Sequence, residues 1–185
     1  LRRYKMKNYV GCALGLVVLI LLSGCSDSTD IAKAPQASNT EQISDRYLLA
    51  AEPNGIVNVI AARESSKDNE EVVVVGRIGG GLKPFVESMA AFQIVGNSIK
   101  ACSDDTQEGE DCGCPTPWDY CCETEKLPNS MAFVRFNDDQ GNVHKLDAQS
   151  LFPVNELSTV VVKGVAKRDG AGNLTILADG IYVRN

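Results

Sequence analysis

The chain has 185 residues, with 18 Lys and Arg against 24 Asp and Glu, a formal charge of −6. That acidic balance argues against phosphate backbones and anionic headgroups as electrostatic partners, so no nucleic-acid role is expected. Seven cysteines, one histidine and one tryptophan are few enough to be weighed one by one.

Arg2, Arg3, Lys5 and Lys7 form a basic start, and Val10 to Leu22 is an apolar run. A charged n-region before a short h-region is the pattern of a secretory signal peptide. The run is short of the about 20 apolar residues a membrane-spanning helix needs. Leu22-Ser23-Gly24-Cys25 resembles the lipobox of bacterial lipoproteins, in which an apolar residue and two small ones precede the acylated cysteine. The resemblance implies a signal peptide over residues 1–24, with Met6 as an alternative first residue. It also implies thioether-linked lipid on Cys25, with palmitate-type acyl chains that together hold a membrane better than one. Ser26 stands where inner-membrane retention would place Asp, which implies an outer-membrane anchor facing the periplasm. Without residues 1–24 the chain keeps 14 basic residues against 24 acidic ones, a formal −10.

Residues 25–42 are rich in Ser, Thr, Asp, Asn and Gln, contain Pro35, and offer little apolar surface; a flexible tether is expected there. The remaining 43–185 are the usual size of one domain. Ile43–Ala51 predicts a short helix, broken by Pro53-Asn54-Gly55. Ile56–Arg63 places Ile56, Val59 and Ile60 on one helical face with Asn54 as N-cap, although Ile56–Ile60 also reads as a strand. From Glu71 the pattern is β. Val72–Ile78, Ala90–Val95, Met131–Phe136, Thr159–Lys167 and Leu174–Tyr182 are β-branched or alternating runs, with Gly76 marking a bend or bulge. Val143–Leu146 reads as a short return strand, and Asp147–Leu151 as a helical turn. Residues 138–142 and 169–173 are turns, the second a hairpin. Short strands, internal glycines and one helical piece before the last two strands predict a mainly β fold. The expected form is a small OB-like Greek-key barrel preceded by one or two short helices.

A long acidic loop, 101–128, holds Cys102, Cys112, Cys114, Cys121 and Cys122 together with Trp118. Once Cys12 leaves with the signal and Cys25 takes lipid, these five are an odd set, so at least one is unpaired, metal-bound or bridged to another chain. Disulfides are the first expectation, because an exported chain meets an oxidising compartment and a bridge across such a loop contributes about 2–4 kcal/mol. Adjacent Cys121 and Cys122 would then take different partners, Cys102 and one of Cys112 or Cys114. Thiolate binding of zinc or copper is the second, with Asp119 or His144 as a further ligand. The C-x-C and C-C pairs do not match an ordinary zinc ribbon. Thiol redox chemistry comes third, since no C-x-x-C is present and the acidic loop should raise thiol pKa values.

The segments CPTPWDYCCE, EVVVVGRIGG and LSTVVVKGVAKRDGAGNLTILADG resemble an uncharacterised family of secreted lipoproteins from planctomycete-type bacteria, over roughly Pro53 to Arg184. The resemblance implies an OB-fold-like domain and names no activity. It also implies that one cysteine often stands where this chain has Cys112 and Cys114.

Other chemistry has little support in the residues. His144 has no nucleophile elbow to serve and is the lone candidate for a haem ligand. Gly79-Gly80-Gly81 lacks a Walker pattern and reads as a flexible turn. Trp118 and Tyr120 offer stacking surfaces but are expected to pack the loop shut. Asp104, Asp105, Glu108, Glu110 and Asp111 lack the order of a calcium loop and are expected to be solvated. The sequence therefore predicts a non-enzymatic, membrane-anchored envelope lipoprotein. Its domain would bind or scaffold an unidentified protein or small molecule, with no required cofactor, and metal binding through the loop is the alternative.

Overall fold

The computed structural model describes residues 36–105 and 113–184, which belong to one compact unit spanning Ala34–Asn185. Helix α1, Gln36–Tyr47, is followed by the two-residue strand β1, Val57–Asn58, and helix α2, Val59–Ser65. Strands β2 (Glu71–Ile78), β3 (Ala91–Val95), β4 (Met131–Phe136), β5 (Thr159–Arg168) and β6 (Leu174–Val183) then form the body of the domain. Short helices α3, Leu127–Ser130, and α4, Ala148–Leu151, precede β4 and β5.

The strands pair in the order β2-β3-β4-β6-β5, and β5 returns to β2, which closes a five-stranded barrel. All neighbours are antiparallel except β4 and β6, which run parallel from Phe133↔Thr175 to Phe136↔Ala178. This closed mixed barrel, with a helical piece ahead of its last two strands, is OB-like as expected. Strand β2 meets β3 only at Arg77 and Ile78, and β1 lies parallel along the edge that β3 leaves open, at Val74 and Val75. That arrangement limits an otherwise unpaired sheet edge.

The alternation of β4 (Ala132, Val134 and Phe136 inward) and the near-continuous burial of β2 and β5 fill the barrel with Val, Ile and Phe. Phe136 anchors an aromatic cluster, with ring centroids 4.7 Å from Phe152 and 5.2 Å from Tyr47. Fully burying one such ring contributes about 1.5–3 kcal/mol. Helix α1 caps this end of the barrel. Ile43 and Tyr47 lie one turn apart and pack on the core, and the Tyr47 hydroxyl donates to the Asn137 carbonyl at 2.6 Å. Strands β4 and β6 both finish at this pole, where the Leu49 N–H donates to the Ile181 carbonyl.

A second, smaller apolar cluster sits at the opposite pole, beyond the end of β3 and the start of β4. It joins Val95, Ile99, Ala101, Tyr120 and Leu127, with Ile60, Met131 and Leu157 against it.

Several local expectations are corrected. Helix α1 begins at Gln36, inside the expected tether, and ends at Tyr47 rather than Ala51. Gln36, Ala37, Glu41 and Gln42 are good helix formers that extend a turn already held by Ile43 and Tyr47. Residues 56–63 divide between strand and helix. The helix is capped not by Asn54 but by Asn58, whose side-chain oxygen accepts from the Ala61 N–H at 2.8 Å. Gly76 carries no bulge; it pairs in register with Val160, and an added Cβ there would stand 3.0 Å from Val59 Cγ2 and the Val95 carbonyl. The bulge lies at Lys163/Gly164, where a Cβ on Gly164 would collide with the Leu177 carbonyl oxygen. Residues 143–146 form no strand; Val143 makes a single bridge to Asn137.

Candidate functional site

The loop between β3 and β4 is built from short turns. Single helical turns span Cys102–Asp105, Pro117–Asp119 and Cys121–Glu123. Pro117 opens the second, where a missing N–H costs nothing. Tyr120 separates the second from the third in a left-handed conformation, φ 56° and ψ 39°. This residue turns the chain sharply between Asp119 and Cys121 and buries its ring completely in the second apolar cluster.

The glycine run after β2 receives that turn. The Gly80 N–H donates to the Trp118 carbonyl at 2.8 Å, and a Cβ on Gly79 would lie 2.6 Å from the same oxygen and 2.7 Å from Tyr120 Cε2. Gly79-Gly80 is thus a seat for the cysteine loop rather than a flexible turn; its signal in the sequence is the absence of side chains. Trp118 lies half-buried, its indole N–H donating to the Leu82 carbonyl at 3.3 Å. Asp104 accepts from the Ala101 N–H at 2.8 Å and pairs with Arg77 on β2, so it is an anchor of the loop and not a solvated acid.

These constraints gather four sulfurs. Cys121 is the hub, 3.3 Å from Cys102, 3.7 Å from Cys114 and 3.9 Å from Cys122; Cys102 and Cys122 are 3.5 Å apart. The side chains of Cys121 and Cys122 do not diverge, because both leave one tight helical turn. No sulfur pair among the described residues is at the about 2.05 Å of a disulfide. The bridges expected among Cys102, Cys114, Cys121 and Cys122 are not seen there, and Cys121 shares its surroundings among three sulfurs instead of pairing with one. Asp119 completes the cluster. Its Oδ1 accepts from the Cys121 N–H at 2.9 Å and its Oδ2 from the Thr116 hydroxyl at 2.8 Å.

Two ligand triads result, Cys102–Cys121–Cys122 and Cys114–Asp119–Cys121, each with its donor atoms within 4.8 Å of one another. These groups are able to hold a metal ion. A thiolate–zinc bond of about 2.3 Å in tetrahedral geometry spaces sulfurs about 3.8 Å apart, close to the separations found. Cys121 and Cys122 are exposed and Cys102 and Cys114 half-buried, so the cluster opens to solvent.

Hydrogen bonding between sulfurs divides their acidities. The bond to Cys121 pulls the Cys102 thiol below its ordinary value, while bonds to Cys102 push Cys121 and Cys122 up. The expected rise in thiol pKa holds for the latter two, with neighbouring sulfurs rather than carboxylates as its leading cause.

His144 joins neither triad. It is half-buried at the opposite pole, its Nε2 3.2 Å from the Tyr47 hydroxyl and its ring edge-on to Tyr47. Cys12, Cys25, Cys112, Glu108, Glu110 and Asp111 lie outside the described residues, as does most of the expected tether. No protein-family model matches the chain, and no curated protein matches it.

Proposed function

We propose that this protein is a membrane-anchored envelope lipoprotein that binds a thiophilic metal ion, zinc or copper, through the cysteine cluster of its OB-like domain, without catalysing a reaction. The observation that carries the metal reading is Cys121: three other sulfurs lie 3.3–3.9 Å from it. Discrete disulfides bring sulfurs together in pairs, whereas thiolates around a common ion sit at several similar separations. Four thiols on a surface loop also suit soft ions better than hard ones such as calcium. The anchoring half of the proposal rests on Leu22-Ser23-Gly24-Cys25 and the basic and apolar segments before it. The acidic surface is consistent with a role away from anionic headgroups and nucleic acid.

The test is to purify the intact chain in detergent from an oxidising compartment and to measure metal content and reactive thiols on the same sample. Stoichiometric zinc or copper, with thiols that react only after chelation, is the expected result. A metal-free protein that takes up neither ion, with its loop cysteines paired as disulfides, sinks the reading in favour of a crosslinked scaffold.

A further inference from the structure

Resting on that reading, we infer that the cluster is a binuclear zinc site in which Cys121 Sγ bridges the two ions. One zinc is held by Cys102, Cys121 and Cys122, the other by Cys114, Asp119 and Cys121.

The arrangement of the donors leads there. Cys121 belongs to both triads, and among the described residues these are the groups of three or more potential ligands whose atoms converge. A single ion cannot use every donor, because zinc takes four ligands in a closed site and five donors are on offer. A thiolate has lone pairs enough for two ions, so sharing Cys121 gives each zinc three protein ligands. The fourth position of each faces outward, where Cys121 and Cys122 are exposed, and water fills it.

Charge points the same way. Four thiolates and the Asp119 carboxylate carry −5 when ionised, crowded within a few ångströms. One dication leaves −3, and two leave −1. Like charges at such separations repel even near a surface, so the second ion offsets a penalty that one ion leaves in place. The donor types choose zinc over copper(I) for the pair. Copper(I) suits the all-sulfur triad but gains little from the Asp119 carboxylate, whereas zinc accepts sulfur and oxygen alike. Asp119 is also held for the task, its two oxygens fixed by the Cys121 N–H and the Thr116 hydroxyl. Binding converts each thiol to a thiolate and releases its proton to solvent, and no electron moves.

The test is a zinc titration of the reduced, intact chain in detergent against a chromophoric chelator, with cobalt(II) as a spectroscopic stand-in. Two zinc ions per chain are expected, with a magnetically coupled pair in the dicobalt form. Cys114→Ser and Asp119→Asn should each bind one zinc and lose the coupling. Cys102→Ser should likewise bind one, at the other triad. Cys121→Ser should bind neither tightly, because both sites lose a ligand. One zinc in the wild type, unchanged by Cys114→Ser and Asp119→Asn, overturns the binuclear site and leaves the mononuclear proposal standing. Two zincs without coupling overturn the bridge. No zinc at all overturns the binuclear zinc site, and the metal reading falls with it only if copper is not taken up either. If Cys121→Ser fails to fold, as judged by its circular dichroism, the other three variants still decide.

Discussion

Tyr120 is the residue on which the candidate site turns. A tyrosine at φ 56° is strained by about 1–2 kcal/mol relative to the right-handed region, and its buried hydroxyl has no partner among the described residues. Burial holds that phenol above its ordinary pKa, so it stays neutral. The ring nevertheless fills the second apolar cluster, and its backbone twist aims Cys121 and Cys122 at Cys102. Tyr120→Phe keeps the ring and removes the unpaired hydroxyl. It should stabilise the domain by about 1 kcal/mol in denaturant titrations, since an orphaned buried hydroxyl costs about 1–3 kcal/mol. Gly79→Ala acts in the opposite sense. Its new Cβ collides with the Trp118 carbonyl, which is backbone and cannot swing aside. The barrel's circular dichroism should be retained while zinc affinity falls at least tenfold, because the loop is lifted from its seat with every ligand intact.

At the scale of elements, two turns share one chemistry. Asp138 and Asp169 each begin a turn with Gly three residues on and Asn four on, the glycines at φ 83° and 80°. Asp138 Oδ1 accepts from the N–H groups of Gln140 and Asn142, and Asp169 Oδ1 from those of Ala171 and Asn173. These bonds favour the carboxylate. Contacts with Asn142, backbone first, lower the pKa of Asp138, and the Asn173 side chain leads the lowering of Asp169. A depressed folded-state pKa contributes stability that is present above the unfolded value, about 3.9, and is lost as pH falls through the folded value. Asp169→Ala should therefore lower the melting temperature at neutral pH and flatten the stability-against-pH curve below about pH 4. An unchanged acid slope in that variant would refute the role.

The same elements show what the residue order makes legible. Met131–Phe136 alternates strictly, and Thr159–Lys167 is a β-branched run between polar turns, so both strands are read almost to the residue. Helix α3 is hidden because Pro128 reads as a breaker until it is seen at the helix start. Strand β1 is two residues long and exists only because β3 leaves an edge of β2 open. The cysteines could be recognised as a set, but their mutual geometry could not. It depends on a left-handed tyrosine and on a glycine seat that folding brings from another segment.

For the whole molecule, the proposed anchor and the barrel can be tested apart, because Cys25 lies outside the described residues that build the barrel. Cys25→Ser should move the protein from the membrane fraction to the soluble one while leaving its melting temperature and zinc stoichiometry unchanged. Retention in the membrane fraction would refute the lipid anchor. Zinc itself should stabilise the domain: an ion present at about 100 times its dissociation constant adds about 2.7 kcal/mol, and chelation should remove that increment.

Strand β4 has helix α1 at one end and the cysteine loop at the other, about 17 Å apart at about 3.3 Å per residue over its length. The backbone thus arrives at one pole and displays its sulfurs at the other. The length of the barrel therefore separates the end where helix α1 packs from the end where the thiols open to solvent, so a metal ion can reach the cluster without passing the helical cap.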